Sequence, residues 1–181
     1  MQTNRYAVFC GQINTQSAQN LFSHLARATH EVKHVHLLFH SSGGLTADAV
    51  GLYNFLRTYP INISIYNMSC LQSAAVIVYL GAKRRIVGPH ANFMIHGVYS
   101  RDCAVLHQTE NYLAKLVQGA RRNNKIVGSI FQRHTKILKA TFSKPDDWEL
   151  WYSASEAVKY GIANSIGDFS PPKGTRIETF F

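Results

Sequence analysis

Short apolar stretches alternate with longer amphipathic ones along the chain of 181 residues. Short apolar or alternating runs favour strands, whereas apolar residues spaced three or four apart favour helices. The pattern predicts strands over residues 6–10, 35–39, 61–65, 85–87 and 92–95. It predicts helices over residues 16–28, 47–56, 73–80, 104–131 and 153–160, the last ended by Gly161. Because strand and helix alternate, we expect an α/β fold with a mostly parallel sheet and right-handed crossovers.

This pattern runs without a linker, an internal repeat or a low-complexity segment, and its length is usual for one domain. We therefore expect a single domain over residues 1–181. From about residue 170 the chain carries Pro171-Pro172-Lys173-Gly174 and loses its periodicity. Such a composition predicts a loosely held tail.

Composition narrows the class of protein. Hydrophobic residues make up 46% of the chain and charged residues 16%, so it can bury a core and is not a disordered chain. No run approaches the roughly 18 apolar residues of a membrane span, and no signal peptide follows Met1. The three cysteines, Cys10, Cys70 and Cys103, are an odd number without metal-like spacing. We expect a cytoplasmic protein with no membrane partner and no disulfide framework.

The chain is basic, with 19 lysines and arginines against 10 acidic residues and a net charge of +9. A basic surface favours acidic partners when the positive residues share one face. Here they form short clusters at residues 83–85 and 121–125, without the aromatic interleaving of RNA-binding sheets. We interpret the clusters as solvated surface or subunit contacts, and expect no nucleic-acid partner.

One short motif resembles a metal site. His30-Glu31-Val32-Lys33-His34 has the spacing with which zinc proteases bind a metal and activate water. That chemistry needs a continuous helix through both histidines. Helical periodicity ends near Thr29 and a strand is predicted from residue 35, so we interpret the motif as an exposed turn. No metal and no cofactor are expected.

Three other positions carry candidate chemistry, each after or at the end of a predicted strand. Residues 41–44, Ser-Ser-Gly-Gly, precede a helix, and their glycines allow positive φ and leave backbone N–H groups able to face a ligand oxygen. Ser73 begins a helix of small apolar residues, whose N-terminus favours negative charge. His96 ends an apolar strand, where open α/β sheets often bind ligands. Turns, helix caps and structural histidines give the same signals, so none of the three defines a site alone.

The order of these segments is more specific than any one of them. The anchors are Phe9-Cys10-Gly11-Gln12-Ile13, residues 38–44, Ser73-Ala74-Ala75 with Gly81-Ala82, Met94-Ile95-His96, and residues 153–163. Together they resemble the proteolytic subunit of Clp protease and its phage-type relatives, serine peptidases of the crotonase-like superfamily. The resemblance covers about residues 6–168 and implies a crotonase-like spiral of β-α-β units.

The resemblance also implies roles for individual residues. Ser73 corresponds to the nucleophile and His96 to the general base, and the backbone N–H groups of Gly44 and Ala74 to the oxyanion hole. The chemistry agrees, because a serine nucleophile needs a base within reach and preorganised donors for the tetrahedral intermediate. The family aspartate corresponds to Glu149, and a glutamate can also orient a histidine.

Alternatives to these assignments stay open at this stage. Asp146 and Asp147 lie just upstream of Glu149 and could supply the acid instead, or none of the three could be aligned. Cys70, three residues before Ser73, is a possible thiol nucleophile, although the matched register favours serine. Ser42 replaces the family proline, residues 69–72 replace its Gly-Gln-Ala-Ala run, and Gly97 replaces its Gln-Pro, which changes the expected shape of the substrate groove.

The expected function is a serine endopeptidase that cuts peptides or unfolded proteins inside an oligomeric ring. The apolar stretches at residues 52–56 and 113–117 exceed what a small domain needs, and the helix over 104–131 is expected to contact a second ring. An ATPase unfoldase is a weaker expectation, because the chain starts a few residues before its first strand. The alternatives are a catalytically silent subunit of a mixed ring and an enzyme acting on acyl-CoA through the Gly43-Gly44 donors.

Overall fold

The computed structural model describes residues 3–27, 32–98, 109–143 and 148–180. Its strands are β1 (Thr3–Cys10), β2 (Val32–His40), β3 (Asn62–Asn67), β4 (Cys70–Gln72), β5 (Arg84–Val87), β6 (Asn92–His96), β7 (Glu149–Ser153), β8 (Ser165–Ile166) and β9 (Ile177–Phe180). Its helices are α1 (Thr15–Ala26), α2 (Thr46–Thr58), α3 (Ala74–Leu80), α4 (Glu110–His134) and α5 (Ala154–Lys159), with a 3-10 helix at Lys139–Ser143. Each strand and helix predicted from the periodicity has a counterpart here.

Six strands form the main sheet in the order β8-β5-β3-β2-β1-β9, and every neighbouring pair is parallel. The predicted α/β fold with a mostly parallel sheet is therefore confirmed. The inner strands bury apolar side chains such as Leu37, Phe39 and Ile65 completely. Parallel strands end at a common edge, so the loops that follow β1 and β2 meet there.

A second, smaller sheet carries much of the candidate site. β4 pairs with β6 in parallel, and β7 pairs with β6 antiparallel. A bridge between Ser41 and Leu71 joins this sheet to the end of β2. The sequence pattern predicts neither β4 nor β7, because β4 has only three residues and β7 alternates around exposed side chains.

Helix α3 is buried along its whole length, because all seven of its residues are apolar. It packs against α2, α4, β4 and β6. Its neighbours Leu52 and Leu56 on α2 are only 1% and 2% exposed. The stretch over 52–56 therefore belongs to the core of this chain, and its prediction as surplus apolar surface for an oligomer is wrong.

The start of β2 rules out the helix that the zinc-protease motif needs at His34. β2 begins at Val32, so His34 lies in a strand and no helix runs through this position. Its Nε2 lies 2.7 Å from Ser64 Oγ on β3. His30 lies outside the described residues. Without the helix through His34, the spacing of the motif does not place two histidines on one helical face.

The cluster at residues 83–85 is not a solvated patch throughout. Arg85 is 7% exposed, and its guanidinium donates to the carbonyl oxygens of Ala82, Gly161 and Ile162. Buried charges need such compensation. The expected surface role is therefore wrong for Arg85.

Helix α4 begins at Glu110 and ends at His134, three residues beyond the predicted end. The predicted start at residue 104 lies outside the described residues. Thr109 caps the helix by accepting from the Tyr112 N–H. None of the helices that the structure describes is long and apolar enough to span a membrane.

The segment after residue 170, for which composition predicts a loose tail, ends in β9. This strand pairs with β1 at the sheet edge. Glu178 lies 3.3 Å from Arg5 and 3.2 Å from His24, and the ring of Phe180 packs at a tilt against that of His24. Strand pairing, the ion pair with Arg5 and the contacts with His24 thus hold β9 in place.

Candidate active site

The loop after β2 packs against the start of α3 with almost no space between them. Gly43 and Gly44 have φ of +97° and +147°, values that favour glycine. A Cβ at Gly43 would lie 2.8 Å from Ser73 Cβ and 3.2 Å from the Ala74 nitrogen. A Cβ at Gly44 would lie 2.0 Å from the carbonyl oxygen of Ile13. Only glycine allows the loop to come this close to Ser73.

Hydrogen bonds hold this loop in place. The Ile13 N–H donates to the Gly43 carbonyl at 2.8 Å, and the Leu45 N–H donates to the Ile13 carbonyl at 2.8 Å. The Gly43 N–H donates to Ser41 Oγ at 3.1 Å. The Gly44 N–H takes no part in these three bonds, which leaves it able to face the cavity described below.

Ser73 adopts a strained backbone at the turn from β4 into α3. Among the described residues it is the one non-glycine residue with positive φ, at φ +54° and ψ −125°. Such strain costs about 1–3 kcal/mol and is typical of functional sites, including nucleophiles on tight strand-to-helix turns. The Ser73 N–H donates to the Met94 carbonyl at 2.8 Å, which ties this turn to β6. The next residue, Ala74, contributes one of the first N–H groups of the helix, and these have no intrahelical acceptor.

His96 lies at the end of β6, the strand whose Met94 carbonyl accepts from the Ser73 N–H. His96 Nδ1 contacts the Gly97 carbonyl oxygen. A carbonyl oxygen only accepts, so this contact places the imidazole proton on Nδ1 and leaves Nε2 as the basic nitrogen.

These residues line one cavity of about 600 Å³. Gly44, Ser73, Ala74 and His96 all line it. Apolar side chains cover another part of its wall: Ile77, Ile95, Val98, Val127 and Phe131. The structure therefore brings four of the five predicted site residues together at one cavity, whose lining also includes polar side chains such as Gln72 and Asn123.

The fifth residue, Glu149, lies on β7 and is not among the described residues that line the cavity. It is the antiparallel partner of His96, and directly opposite residues have Cβ atoms about 4.5–5.5 Å apart on the same face. The Glu149 side chain is exposed, and its Oε1 accepts from the indole Nε1–H of Trp151 at 2.6 Å. Asp146 and Asp147 lie outside the described residues.

Cys70, the alternative nucleophile, is half-buried on β4. Its Sγ lies 3.4 Å from Gln72 Nε2. Among the described residues that line the cavity, β4 contributes Gln72 and not the cysteine. The position of Ser73 at the turn therefore suits nucleophilic attack better.

The contribution of α4 is missed by the sequence reasoning. Asn124 accepts from the Val98 N–H at 2.8 Å and donates to its carbonyl at 3.5 Å, so it holds the chain just after His96. Asn123, Val127 and Phe131 line the cavity. The signal was a pair of asparagines inside a helix, where this residue type is unfavourable unless its side chain has a partner.

A further contact anchors the end of α4. The Tyr53 hydroxyl lies 2.9 Å from His134 Nε2. Burial lowers the pKa of His134 to about 4, with Arg85 contributing next. The imidazole is therefore neutral near pH 7, and its Nε2 shares a hydrogen bond with the tyrosine hydroxyl. This bond fixes the helix that supplies Val127 and Phe131 to the cavity.

Comparison with known proteins places this chain in a family. The Clp protease family model matches residues 1–169. ATP-dependent Clp protease proteolytic subunit 2 of Corynebacterium glutamicum is 24% identical over 168 residues, which cover 88% of this chain and 80% of that protein. The subunit of the same name from Borreliella burgdorferi is 27% identical over 169 residues, 90% of this chain and 82% of that protein.

A solved structure shows the same fold. A mutant of ClpP1 from Listeria monocytogenes matches with a TM-score of 0.71 and 20% identity, over 91% of this chain and 92% of that one. The predicted Clp protease-like architecture is confirmed by this likeness. At this identity the likeness concerns the fold.

Proposed function

The chain belongs to the Clp protease family, and we propose that it is a serine peptidase that hydrolyses peptides or unfolded proteins through Ser73 and His96. The observation that carries this proposal is that the strained Ser73, His96 and the two residues proposed as oxyanion donors, Gly44 and Ala74, line one cavity. Nucleophile, base and oxyanion donors are the parts that acyl transfer requires.

In this mechanism the Ser73 hydroxyl attacks the substrate carbonyl carbon while His96 Nε2 takes its proton. The N–H groups of Gly44 and Ala74 donate to the oxyanion of the tetrahedral intermediate. The intermediate collapses to an acyl-enzyme as His96 returns the proton to the leaving amine. Water then attacks the ester while His96 Nε2 takes its proton. His96 returns that proton to the Ser73 oxygen, which frees the enzyme.

Glu149 is the proposed acid. The Gly97 carbonyl already accepts from Nδ1, so what the carboxylate adds is negative charge beside the imidazolium that forms during the reaction. This charge stabilises the transition state more than the ground state, as catalysis requires.

The pocket suggests the kind of side chain that lies beside the cleaved bond. Ile77, Val127 and Phe131 give it an apolar wall. Burial of an apolar substrate side chain there contributes about 25 cal/mol per Å². We therefore propose a preference for apolar residues, which a library of fluorogenic peptides varied at that position tests.

We further propose that the chain assembles into rings. On the first turns of α4, Leu113 and Val117 are 45% and 49% exposed, with Tyr112 beside them. These residues lie on one side of the helix, and a second copy of the chain could cover them. Sedimentation that finds only monomer across micromolar concentrations would contradict this assembly.

The test of the chemistry uses a fluorophosphonate and a peptide substrate. The wild-type protein is expected to acquire the label on Ser73, and Ser73→Ala is expected to lose both labelling and hydrolysis while folding normally. A chelator should have no effect on either reaction. Hydrolysis of the peptide by the Ser73→Ala variant would refute the serine mechanism.

The second candidate is a catalytically silent subunit of a mixed ring. The specific observation in its favour is Glu149, which is exposed and already bonded to Trp151. A folded wild-type protein that acquires no label would support this function and contradict the peptidase.

A further inference from the structure

Asn123 is the polar position in a stripe of α4 that lines the cavity. Val127 and Phe131 follow it by four and eight residues and line the cavity as well, so the three share one side of the helix. Val127 is 5% exposed and Phe131 is completely buried. Asn123 is half-buried and lies one turn nearer the start of the helix. This wall of the cavity is therefore apolar along two turns and carries a carboxamide on the third.

The carboxamide of Asn123 has no hydrogen-bond partner in the part of the chain that the structure describes. Its neighbour Asn124 differs, because that side chain bonds both backbone groups of Val98. Gln72, another amide of the cavity lining, has its Nε2 3.4 Å from Cys70 Sγ. An asparagine inside a helix is unfavourable unless its side chain has a partner. The partner that Asn123 lacks within the chain can come from a substrate in the cavity.

A substrate side chain that fills the cavity removes water from this carboxamide. A purely apolar side chain leaves the amide without hydrogen bonds, whereas a polar atom at its end replaces the bonds to water. A site that bonds a hydroxyl therefore disfavours the analogue that lacks it. Tyrosine combines a ring that suits the apolar wall with a hydroxyl that can donate to or accept from the amide. The volume of about 600 Å³ has room for such a ring.

We propose that Asn123 is a specificity-determining residue, whose carboxamide hydrogen-bonds the hydroxyl of a substrate tyrosine on the acyl side of the cleaved bond. This inference rests on the proposed function and refines its apolar preference to tyrosine over phenylalanine, two residues that differ in the hydroxyl alone. Asn123 contacts the substrate and takes no part in proton transfer. Its replacement therefore changes the choice of substrate and leaves the chemistry at Ser73 unchanged.

The test compares two fluorogenic peptides that carry tyrosine or phenylalanine on the acyl side of the cleaved bond. The wild type should have a kcat/KM about tenfold higher for the tyrosine peptide. Asn123→Leu keeps a side chain of similar size without the amide, and should lower this ratio to about one or below. Because one sample cleaves both peptides, the ratio does not depend on how much of a variant is folded.

Two controls accompany the ratio. Asn54→Leu makes the same change at an exposed position of α2 and should keep the preference of the wild type. A fluorophosphonate should label Ser73 in Asn123→Leu at the rate of the wild type, because the nucleophile and the base are unchanged.

Two results would overturn the inference while the proposed function stands. One is equal cleavage of the two peptides by the wild type, which would mean that no group in the cavity recognises the hydroxyl. The other is an undiminished preference for tyrosine in Asn123→Leu, which would place its cause at another residue. A wild-type protein that is not labelled on Ser73 overturns the proposed function first, and the inference with it.

Discussion

Gly44→Ala tests the geometry on which the candidate site depends. The new Cβ would lie 2.0 Å from the Ile13 carbonyl oxygen, whereas real Cβ contacts essentially never fall below 3.0 Å, so the loop must move by at least 1 Å. A side chain at φ +147° adds strain of about 1–3 kcal/mol, and overpacking costs about as much again. We expect a loss of about 2–6 kcal/mol in the free energy of unfolding.

The same movement displaces a proposed oxyanion donor. Loss of one such donor lowers kcat by about 10²–10³. Urea unfolding measures the first effect, and fluorophosphonate labelling of Ser73 under folding conditions measures the second. Gly119→Ala is the control, because no atom lies within 4 Å of its Cβ and the change should stabilise α4 by about 0.5–1 kcal/mol. If Gly44→Ala matched the wild type in both assays, the close approach of Gly44 to Ile13 would be refuted.

Three further predictions concern the hydrogen bonds that hold the chain after β6, the pH dependence of stability, and the assembly of the chain. Asn124→Ala should lower kcat severalfold without unfolding the protein, because the chain after β6 loses two hydrogen bonds; unchanged peptide kinetics would contradict this. Burial lowers the pKa of His36 to about 4, so the unfolded state binds more protons between about pH 6.5 and 4 and stability falls as the pH falls through that window. His36→Phe should make Tm fall less as the pH is lowered. His90→Gln, at an exposed position, should leave this pH dependence of Tm unchanged. Val117→Lys should shift sedimentation towards smaller species, and an unchanged profile would exclude this face as a contact.

Periodicity predicts the elements whose burial is regular and misses those that depend on pairing. α3 is found because all its residues are apolar. β7 is missed because Trp151 and Glu149 are exposed, and its strand conformation comes from hydrogen bonds to β6. Arg85 is misjudged for a similar reason, since its carbonyl acceptors at residues 161 and 162 are distant in sequence.

The features of the candidate site also divide into those that the sequence predicts and those that depend on contacts between distant residues. The positions of Ser73 and His96 could be proposed from ordered motifs and the chemistry of acyl transfer. The backbone strain at Ser73 and the need for glycine at Gly43 and Gly44 require the fold, because they arise from contacts between distant loops. The bond from Trp151 to Glu149 depends on side-chain conformation, which the pattern of apolar residues does not encode.

The last prediction concerns the size of the acid's contribution. In the serine protease template, replacing the aspartate by asparagine lowers kcat by about 10⁴, because the histidine takes the wrong tautomer. Here the Gly97 carbonyl contacts Nδ1 of His96 and selects the productive tautomer whatever stands at Glu149. Glu149→Gln should therefore remove charge alone.

That charge has a limited effect at an exposed site. If the two charges were as close as the Cβ atoms of directly opposite residues, about 5 Å, they would interact with about 1–3 kcal/mol for effective dielectric constants between about 80 and 20, or roughly 5- to 200-fold in rate. Because Glu149 is exposed, we expect Glu149→Gln to lower kcat by a factor near the lower end of this range. Labelling of Ser73 should slow by the same factor. Asp146→Asn and Asp147→Asn should leave kcat nearly unchanged. A large loss of kcat in either variant would identify that aspartate as the acid. A loss of about 10⁴ in Glu149→Gln would mean that the carboxylate, and not the Gly97 carbonyl, sets the tautomer of His96.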